Sequence, residues 1–152
     1  MTIRILSVGK KHDLALVAAI NEYSERVSRA IKLEWEFVPP SGLPEAQARH
    51  DESERLLQRL RDDVVWLLDE RGTQIDSPTL SAKLTNVQNS GIKQLTIVIG
   101  GAYGVSKRLI DSADFVWSLS KLVFPHQLVR LLLAEQLYRA TEIARGSGYH
   151  HT

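Results

Sequence analysis

The last third of the chain concentrates side chains that can transfer protons or bind anions: His126, Arg130, Arg139, Tyr149 and His150. Imidazole exchanges protons near neutral pH, and guanidinium pairs with carboxylates or phosphates. Arg130 and Arg139 interrupt a helix that is apolar on nearly all sides, where an unpaired charge would be costly. Each arginine is therefore expected to pair with an acidic residue of that helix or with an anionic ligand.

Each of these residues also has a purely structural interpretation. His126 follows Pro125 and could serve only as the start of a helix, with its ring satisfied by the backbone. Glu135 and Arg139 are four residues apart, which is the spacing of an ion pair along a helix. His150 is followed by a second histidine but by no carboxylate or cysteine at ligand spacing, so no metal site is expected there.

Glycine residues follow an apolar strand at Gly100, Gly101 and Gly104, and a second strand ends near Ser120. Ligands of α/β sheets bind beyond the carboxyl ends of the strands, and glycine lets the backbone approach them. We therefore expect a binding site near Gly100 and Ser120. The glycine spacing matches neither the dinucleotide fingerprint nor the P-loop, and a tight strand-to-helix turn is the simpler alternative.

Short apolar segments alternate with amphipathic ones along the whole chain. The predicted strands are Ile3–Val8, Leu33–Val38, Val64–Leu68, Leu95–Ile99 and Phe115–Leu119. Five helices are predicted. Three of them are placed by their starts, at Asp13 as N-cap, at Ser77 and at Ser106, and the other two span Pro44–Arg61 and Pro125–Ala144. This order predicts an α/β fold with a mostly parallel sheet of five to six strands and helices on both faces.

Two of these helices carry further expectations. Leu14 is placed on the apolar face of the first helix, together with Val17 and Ile20. The charged run Arg49–Leu57 in the second helix is interpreted as a solvent-exposed face without a chemical role.

The composition predicts one globular domain over residues 1–152, because 43% of the residues are hydrophobic and 24% are charged. The net charge of +1 excludes nucleic-acid binding by bulk electrostatics, so an RNA partner needs local contacts or a larger assembly. The absence of cysteine excludes disulfides and thiolate catalysis. A cytoplasmic protein without a membrane partner is expected, since neither a signal peptide nor a long apolar run is present.

The motifs of the chain, taken in order, resemble one protein family. They are Val8-Gly-Lys10, Leu67-Leu-Asp-Glu-Arg-Gly72, Val98-Ile-Gly-Gly-Ala-Tyr-Gly104, Ser118–Arg130, Glu135–Ala140 and Tyr149-His-His151. Over essentially the full length they resemble the ribosomal RNA large subunit methyltransferase H family. Its members are SPOUT-class enzymes that methylate N3 of a pseudouridine in helix 69 of 23S rRNA.

The resemblance implies a C-terminal trefoil knot that binds S-adenosylmethionine and forms a homodimer. It implies cofactor contacts at Leu68, Gly100, Leu119, Ser120, Lys121, Leu122, Val123 and Phe124. The apolar final helix would then be an element of the knot and of the dimer. Apolar side chains can enclose the adenine, and free backbone groups of the loops can pair with its edges.

The resemblance also assigns roles to the proton- and anion-binding residues. Arg130 or Arg139 is expected to contact an anion or phosphate, and Tyr149 and His150, delivered from the partner subunit, are expected to position the substrate and to handle its proton. His126 remains a further candidate. The expected substrate is 23S rRNA within the assembled 70S ribosome, which supplies shape complementarity in place of charge. The alternatives are a SPOUT enzyme for another RNA such as tRNA, and a non-enzymatic α/β binding protein.

Overall fold

The structure is a computed structural model that describes residues 1–61 and 64–151; Asp62, Asp63 and Thr152, the last residue of the predicted domain, lie outside the described residues. Within the described ranges, strands and helices alternate. The strands are β1 (Thr2–Val8), β2 (Lys32–Val38), β3 (Val64–Gln74), β4 (Gln94–Ile99) and β5 (Phe115–Ser118). The helices are α1 (Val17–Ser28), α2 (Glu45–Arg59), α3 (Ser77–Asn89), α4 (Lys107–Ser112) and α5 (His126–Arg145).

The strands form one parallel sheet in the order β2-β1-β4-β3-β5. Alternate side chains of β1 point to opposite faces, so Ile3 and Ile5 lie in one core and Leu6 and Val8 in the other. The first core packs against α1, α3 and α5, and the second packs against α2 and α4. The predicted parallel sheet with helices on both faces is therefore confirmed.

Helix α5 is buried along one stripe rather than all round. The buried stripe consists of Arg130, Leu133, Ala134, Leu137, Ala140 and Thr141. A partly exposed stripe runs along the opposite side, at the helical spacing of four, three and four residues. We call it the outer face of α5, and it consists of Leu128, Leu132, Glu135 and Arg139.

The start of the first helix is not where the sequence predicts it. Helix α1 begins at Val17 with Leu16 as N-cap, and residues 13–16 form a turn in which the Asp13 carbonyl accepts from the N–H groups of Leu16 and Val17. The Asp13 N–H donates to the Gln127 side chain at 2.9 Å, so a contact with α5 holds this turn. Leu14 is 92% exposed instead of packed on an apolar face.

Other predicted boundaries agree to within one or two residues, except at β3. This strand continues to Gln74 instead of ending at Leu68, but its pairing with β5 breaks between Leu68 and Thr73. Residues 69–72 therefore bulge from the sheet beside the end of β5. Among the described helices, none is both long enough and apolar enough to cross a membrane.

Candidate active site

A cleft of about 1240 Å³ opens at the carboxyl ends of β4 and β5, beside the bulge of β3. The predicted cofactor residues that line it are Leu68, Gly100, Leu119, Ser120, Leu122, Val123 and Phe124. Lys121 is exposed and is not part of the lining formed by the described residues. Strand ends and the loops that follow them thus bring together residues that lie in three separate parts of the sequence.

The glycines at the end of β4 bring the backbone close to its surroundings. A Cβ atom on Gly100 would lie 2.6 Å from the Val105 side chain, and one on Gly101 would lie 2.5 Å from Oε1 of Glu52. Gly104 donates its N–H to the Gly101 carbonyl at 3.1 Å and has a φ of +79°, which favours glycine. A turn closed by backbone groups therefore forms one wall of the cleft.

The segment between β5 and α5 exposes apolar side chains at the mouth of the cleft. The Ser118 hydroxyl donates to the Ser120 carbonyl at 2.9 Å, and the Ser120 hydroxyl accepts from the N–H of Leu122 at 3.0 Å. These bonds hold the turn that presents Leu122 and Val123, which are 69% and 76% exposed. Such exposure of adjacent large apolar residues is typical of a surface that binds a ligand or a partner.

The bulge of β3 supplies the charged edge of the cleft. Asp69 accepts from the Arg71 guanidinium at 2.8 Å, and this hydrogen bond lowers the pKa of the Asp69 carboxyl. Both side chains line the cleft. The bulge lies so close to β5 that a Cβ on Gly72 would be 2.5 Å from the Val116 carbonyl oxygen. Only glycine fits at this position.

His126 lies at the first turn of α5 and lines the cleft. Burial, and then the charge of Arg130, lower the pKa of its imidazole below the usual value, while the carboxylate of Glu52 acts in the opposite direction. A neutral imidazole is a proton acceptor. The position and the electrostatics of His126 therefore suit a general base.

Arg130 is completely buried beneath the loop that follows β1. Its guanidinium donates to the Lys10 carbonyl at 2.9 Å and to the Ser7 hydroxyl at 3.2 Å, and it lies 4.8 Å from the centre of the Phe37 ring. The expected acidic partner is replaced by backbone and hydroxyl oxygens. These hydrogen bonds of Arg130 connect α5 to the β1–α1 loop. Its contact with an anionic substrate stays a prediction.

The C-terminal tail, residues 146–151, folds back onto the outer face of α5. Arg139 donates to Glu135 at 2.6 Å, as the helical spacing predicts, and its Nη1 lies 3.2 Å from Nδ1 of His150. The Tyr149 hydroxyl donates to Glu135 at 3.1 Å. Burial, and the hydrogen bonds of its hydroxyl, raise the pKa of Tyr149. The predicted tail residues thus form one hydrogen-bonded group, the tail cluster, with Glu135 and Arg139.

The tail cluster does not reach the cleft of its own chain. Thirteen helical steps separate His126 from Arg139, which corresponds to about 20 Å at 1.5 Å per residue. Any action of the tail cluster at a cleft therefore requires a second chain.

Sequence reasoning missed the buried polar residues of α2. Glu52 and Ser53 are buried although they belong to the run interpreted as exposed, and Ser53 accepts from the N–H of Ser106 at 2.8 Å. The burial of Glu52 could have been predicted from its place between Ala48 and Leu56, because this four-residue spacing is that of a helix face packed on the core. Across residues 1–61 and 64–151, no three metal-ligating side chains come together.

Known proteins resemble this chain over its whole length. A family model described as a predicted SPOUT methyltransferase matches residues 1–150. Ribosomal RNA large subunit methyltransferase H of Acetivibrio thermocellus is 44% identical, and that of Christiangramia forsetii is 42% identical, each over 99% of both chains. A probable methylase family protein from Haemophilus influenzae Rd KW20 has a similar fold, with a TM-score of 0.57 at 14% identity over 99% of this chain and 70% of its own.

Proposed function

The chain belongs to the SPOUT methyltransferase family and is a relative of the ribosomal RNA large subunit methyltransferases H, and we propose that it methylates N3 of a pseudouridine in helix 69 of 23S rRNA. The methyl donor is S-adenosylmethionine, which supplies an electrophilic methyl group when bound. The observation that carries the proposal is the cleft at the strand ends, where a glycine turn, apolar side chains and His126 come together.

The residues of the cleft fit such a cofactor. Its volume of about 1240 Å³ exceeds the roughly 300–1,000 Å³ of a usual small-molecule pocket, which leaves room for a nucleobase beside the cofactor. Leu68, Leu119 and Phe124 offer apolar contacts for the adenine, and the glycine turn lets the backbone approach the rest of the molecule. We extend the proposal to a trefoil knot formed by the loops that line the cleft.

Methylation of N3 requires that its proton is removed. We assign this step to His126, which accepts the proton on a ring nitrogen while the N3 electron pair forms the new bond to the methyl carbon. S-adenosylmethionine, held by the residues of the cleft, would supply this methyl group and would keep the electron pair of the broken carbon–sulfur bond. Holding N3 in line for attack on the methyl carbon, with His126 beside the N3 proton, lowers the barrier.

The outer face of α5 supports a two-fold homodimer. Leu128 and Leu132 give it an apolar half at the end near the cleft, and the tail cluster occupies the other half. If two copies of α5 cross antiparallel at Leu132, Arg139 lies opposite Pro125 of the partner subunit, since both are seven residues from the crossing point. The tail cluster of one subunit would then meet the cleft of the other.

In this dimer, the tail cluster would act at the cleft of the partner subunit, since it does not reach the cleft of its own chain. Tyr149 and His150 would position the substrate base, and Arg139 would contact a phosphate or the developing negative charge on the base. Each active site is then built from two chains, with the cofactor residues and His126 from one and the tail from the other.

The net charge of +1 supports the assembled 70S ribosome, present in the cytoplasm, as the substrate. The test compares methyl transfer to 70S particles and to protein-free 23S rRNA, both from a strain lacking the enzyme, with the modified nucleotide mapped by mass spectrometry. We expect a single N3-methylated pseudouridine in the 70S sample and a far slower reaction on free RNA.

Two results would contradict parts of this proposal. Comparable rates on both substrates would remove the ribosome requirement, and methylation elsewhere would point to a different RNA site. No binding of S-adenosylmethionine in calorimetry would instead favour a non-enzymatic binding protein.

A further inference from the structure

Glu52 is a buried acidic residue with an incomplete set of hydrogen bonds. It is 4% exposed on the core side of α2. Its Oε2 accepts from the N–H of Ser41 at 2.9 Å, whereas Oε1 is buried and has no hydrogen-bond partner among the described residues. A buried carboxylate oxygen without a partner is destabilising, so such a group calls for a functional explanation.

The free oxygen of Glu52 points towards the wall of the cleft. A Cβ on Gly101 would lie 2.5 Å from Oε1 and 3.2 Å from the side chain of Val8. Gly9 follows Val8 in the chain. A Cβ on Gly9 would lie 3.5 Å from Nε2 of His126 and 3.0 Å from Nη2 of Arg130. The Val8-Gly9 segment at the end of β1 therefore has the carboxylate near one side and the imidazole near the other.

Two charged groups act on the protonation of His126 in opposite directions. Burial, and then the charge of Arg130 on the same helix, disfavour the imidazolium form of His126, and Glu52 of α2 favours it. His12, from the β1–α1 loop, lies 3.5 Å from the Arg130 guanidinium, and that charge together with burial lowers its own pKa. Of these groups, the carboxylate of Glu52 offsets the effects that oppose a positive charge on His126.

We propose that Glu52 is a positioning residue for methyl transfer, whose buried carboxylate stabilises the imidazolium formed when His126 takes the N3 proton. This inference rests on the proposed function. The arrangement follows the logic of a carboxylate that supports a catalytic histidine without being protonated itself. It also explains why a glycine stands at position 101, because any side chain there would collide with the carboxylate.

The test replaces the charge with a group of the same shape. In Glu52→Gln, the pKa of His126, measured by NMR of its labelled ring, should fall by about half a pH unit or more. The acid limb of the pH–kcat profile should shift to lower pH by the same amount, and kcat on its plateau should fall by about two- to threefold because the base is weaker. The KM for S-adenosylmethionine should stay unchanged.

The matched control is Glu54→Gln on the same helix, where the carboxylate pairs with Arg108 at 2.8 Å. This variant should leave the His126 titration and the pH profile unchanged. In a His126→Asn background, Glu52→Gln should cost no further activity, since both changes remove the same interaction. An additive loss would mean that Glu52 acts by another route.

An unchanged His126 titration in folded Glu52→Gln protein would overturn the inference. If that variant does not fold, the same measurement on Glu52→Asp, which withdraws the carboxylate by one methylene, decides in the same way. The NMR titration needs no substrate. A shifted titration in a protein without methyltransferase activity would therefore refute the proposed function and leave the electrostatic coupling intact.

Discussion

Gly100 connects β4 to the glycine turn at the point where the chain passes along the cleft. Its backbone needs no unusual φ, and what matters is space: the nearest atom to a new Cβ is Cγ1 of Val105, which is itself buried. A larger side chain at this position must displace Val105 or enter the cleft.

We predict that Gly100→Val weakens binding of S-adenosylmethionine by about 5- to 150-fold, since overpacking at such a site costs about 1–3 kcal/mol. Calorimetry measures the affinity, and circular dichroism checks that the variant is folded. Gly42→Ala is the matched control, because no atom lies within 4 Å of a Cβ there. Unchanged affinity in folded Gly100→Val protein would disprove the role of this turn.

Two histidines make the stability of the fold dependent on pH. Burial and the charge of Arg130 lower the pKa of both His12 and His126 relative to an unfolded chain. The unfolded chain therefore binds protons first as the pH falls. Their contribution to stability is complete above the unfolded pKa of about 6.5 and is lost as the pH falls through the lower folded values.

We predict that the melting temperature falls between about pH 7.5 and pH 5.5, and that it falls less in the double variant His12→Asn, His126→Asn. The slope with pH is the relevant readout. The His12 ring packs 4.6 Å from that of Trp35, so its loss also lowers stability at every pH. Equal slopes in both proteins would show that other groups control the acid response.

At the level of elements, α5 joins the core, the cleft and the proposed dimer interface. Its buried stripe packs between α1 and α3, its first turn carries His126, and its outer face carries the tail cluster. A change on the outer face should therefore alter assembly without disturbing the core.

We predict that Leu132→Asp converts the proposed dimer into a folded monomer. A charge at the crossing point costs about 3–5 kcal/mol when it is buried without a partner, which raises the dimer Kd by about 100-fold or more. Sedimentation velocity measures the assembly, and methyl transfer should be lost with it. Ala144→Asp, at an exposed position of the same helix, should remain dimeric and active; a dimeric Leu132→Asp protein would exclude this interface.

At the scale of the whole molecule, the distance between the tail cluster and the cleft of its own chain leads to a complementation experiment. Protein lacking residues 148–152 should still bind S-adenosylmethionine but lose methyl transfer by about 100-fold or more. At a cofactor concentration near the Kd of the unmodified protein, Gly100→Val protein should also be nearly inactive, because its tail is intact but its cleft binds S-adenosylmethionine weakly.

Heterodimers of these two inactive proteins should regain activity. One of their two sites combines the intact cleft of the truncated subunit with the intact tail of the other. Random mixing makes half of the dimers mixed, so activity should return to about one quarter of the unmodified level. Mass spectrometry confirms that mixed dimers form, and their inactivity would mean that the tail works within its own subunit or that both sites must be intact.

Much of this arrangement is readable from local sequence. A run such as Leu95–Ile99 followed by two glycines predicts a strand and a turn from neighbouring residues alone, and the ion pair of Glu135 with Arg139 follows from helical spacing. The parallel sheet follows from the alternation of elements, and the motifs lead to the family. In each case the interacting residues are close in sequence or repeat a regular period.

Contacts between distant parts of the chain account for what the sequence did not reveal. Asp13 is no N-cap because Gln127 of α5 holds its turn, and Arg130 hydrogen-bonds to Ser7, 123 positions away, instead of to an acid. Glu52 and His126 lie near opposite sides of the Val8-Gly9 segment only because α2 and α5 pack on opposite faces of β1. Whether a buried charge meets a carboxylate, a carbonyl or no partner depends on how the layers pack, and local patterns carry no information about that.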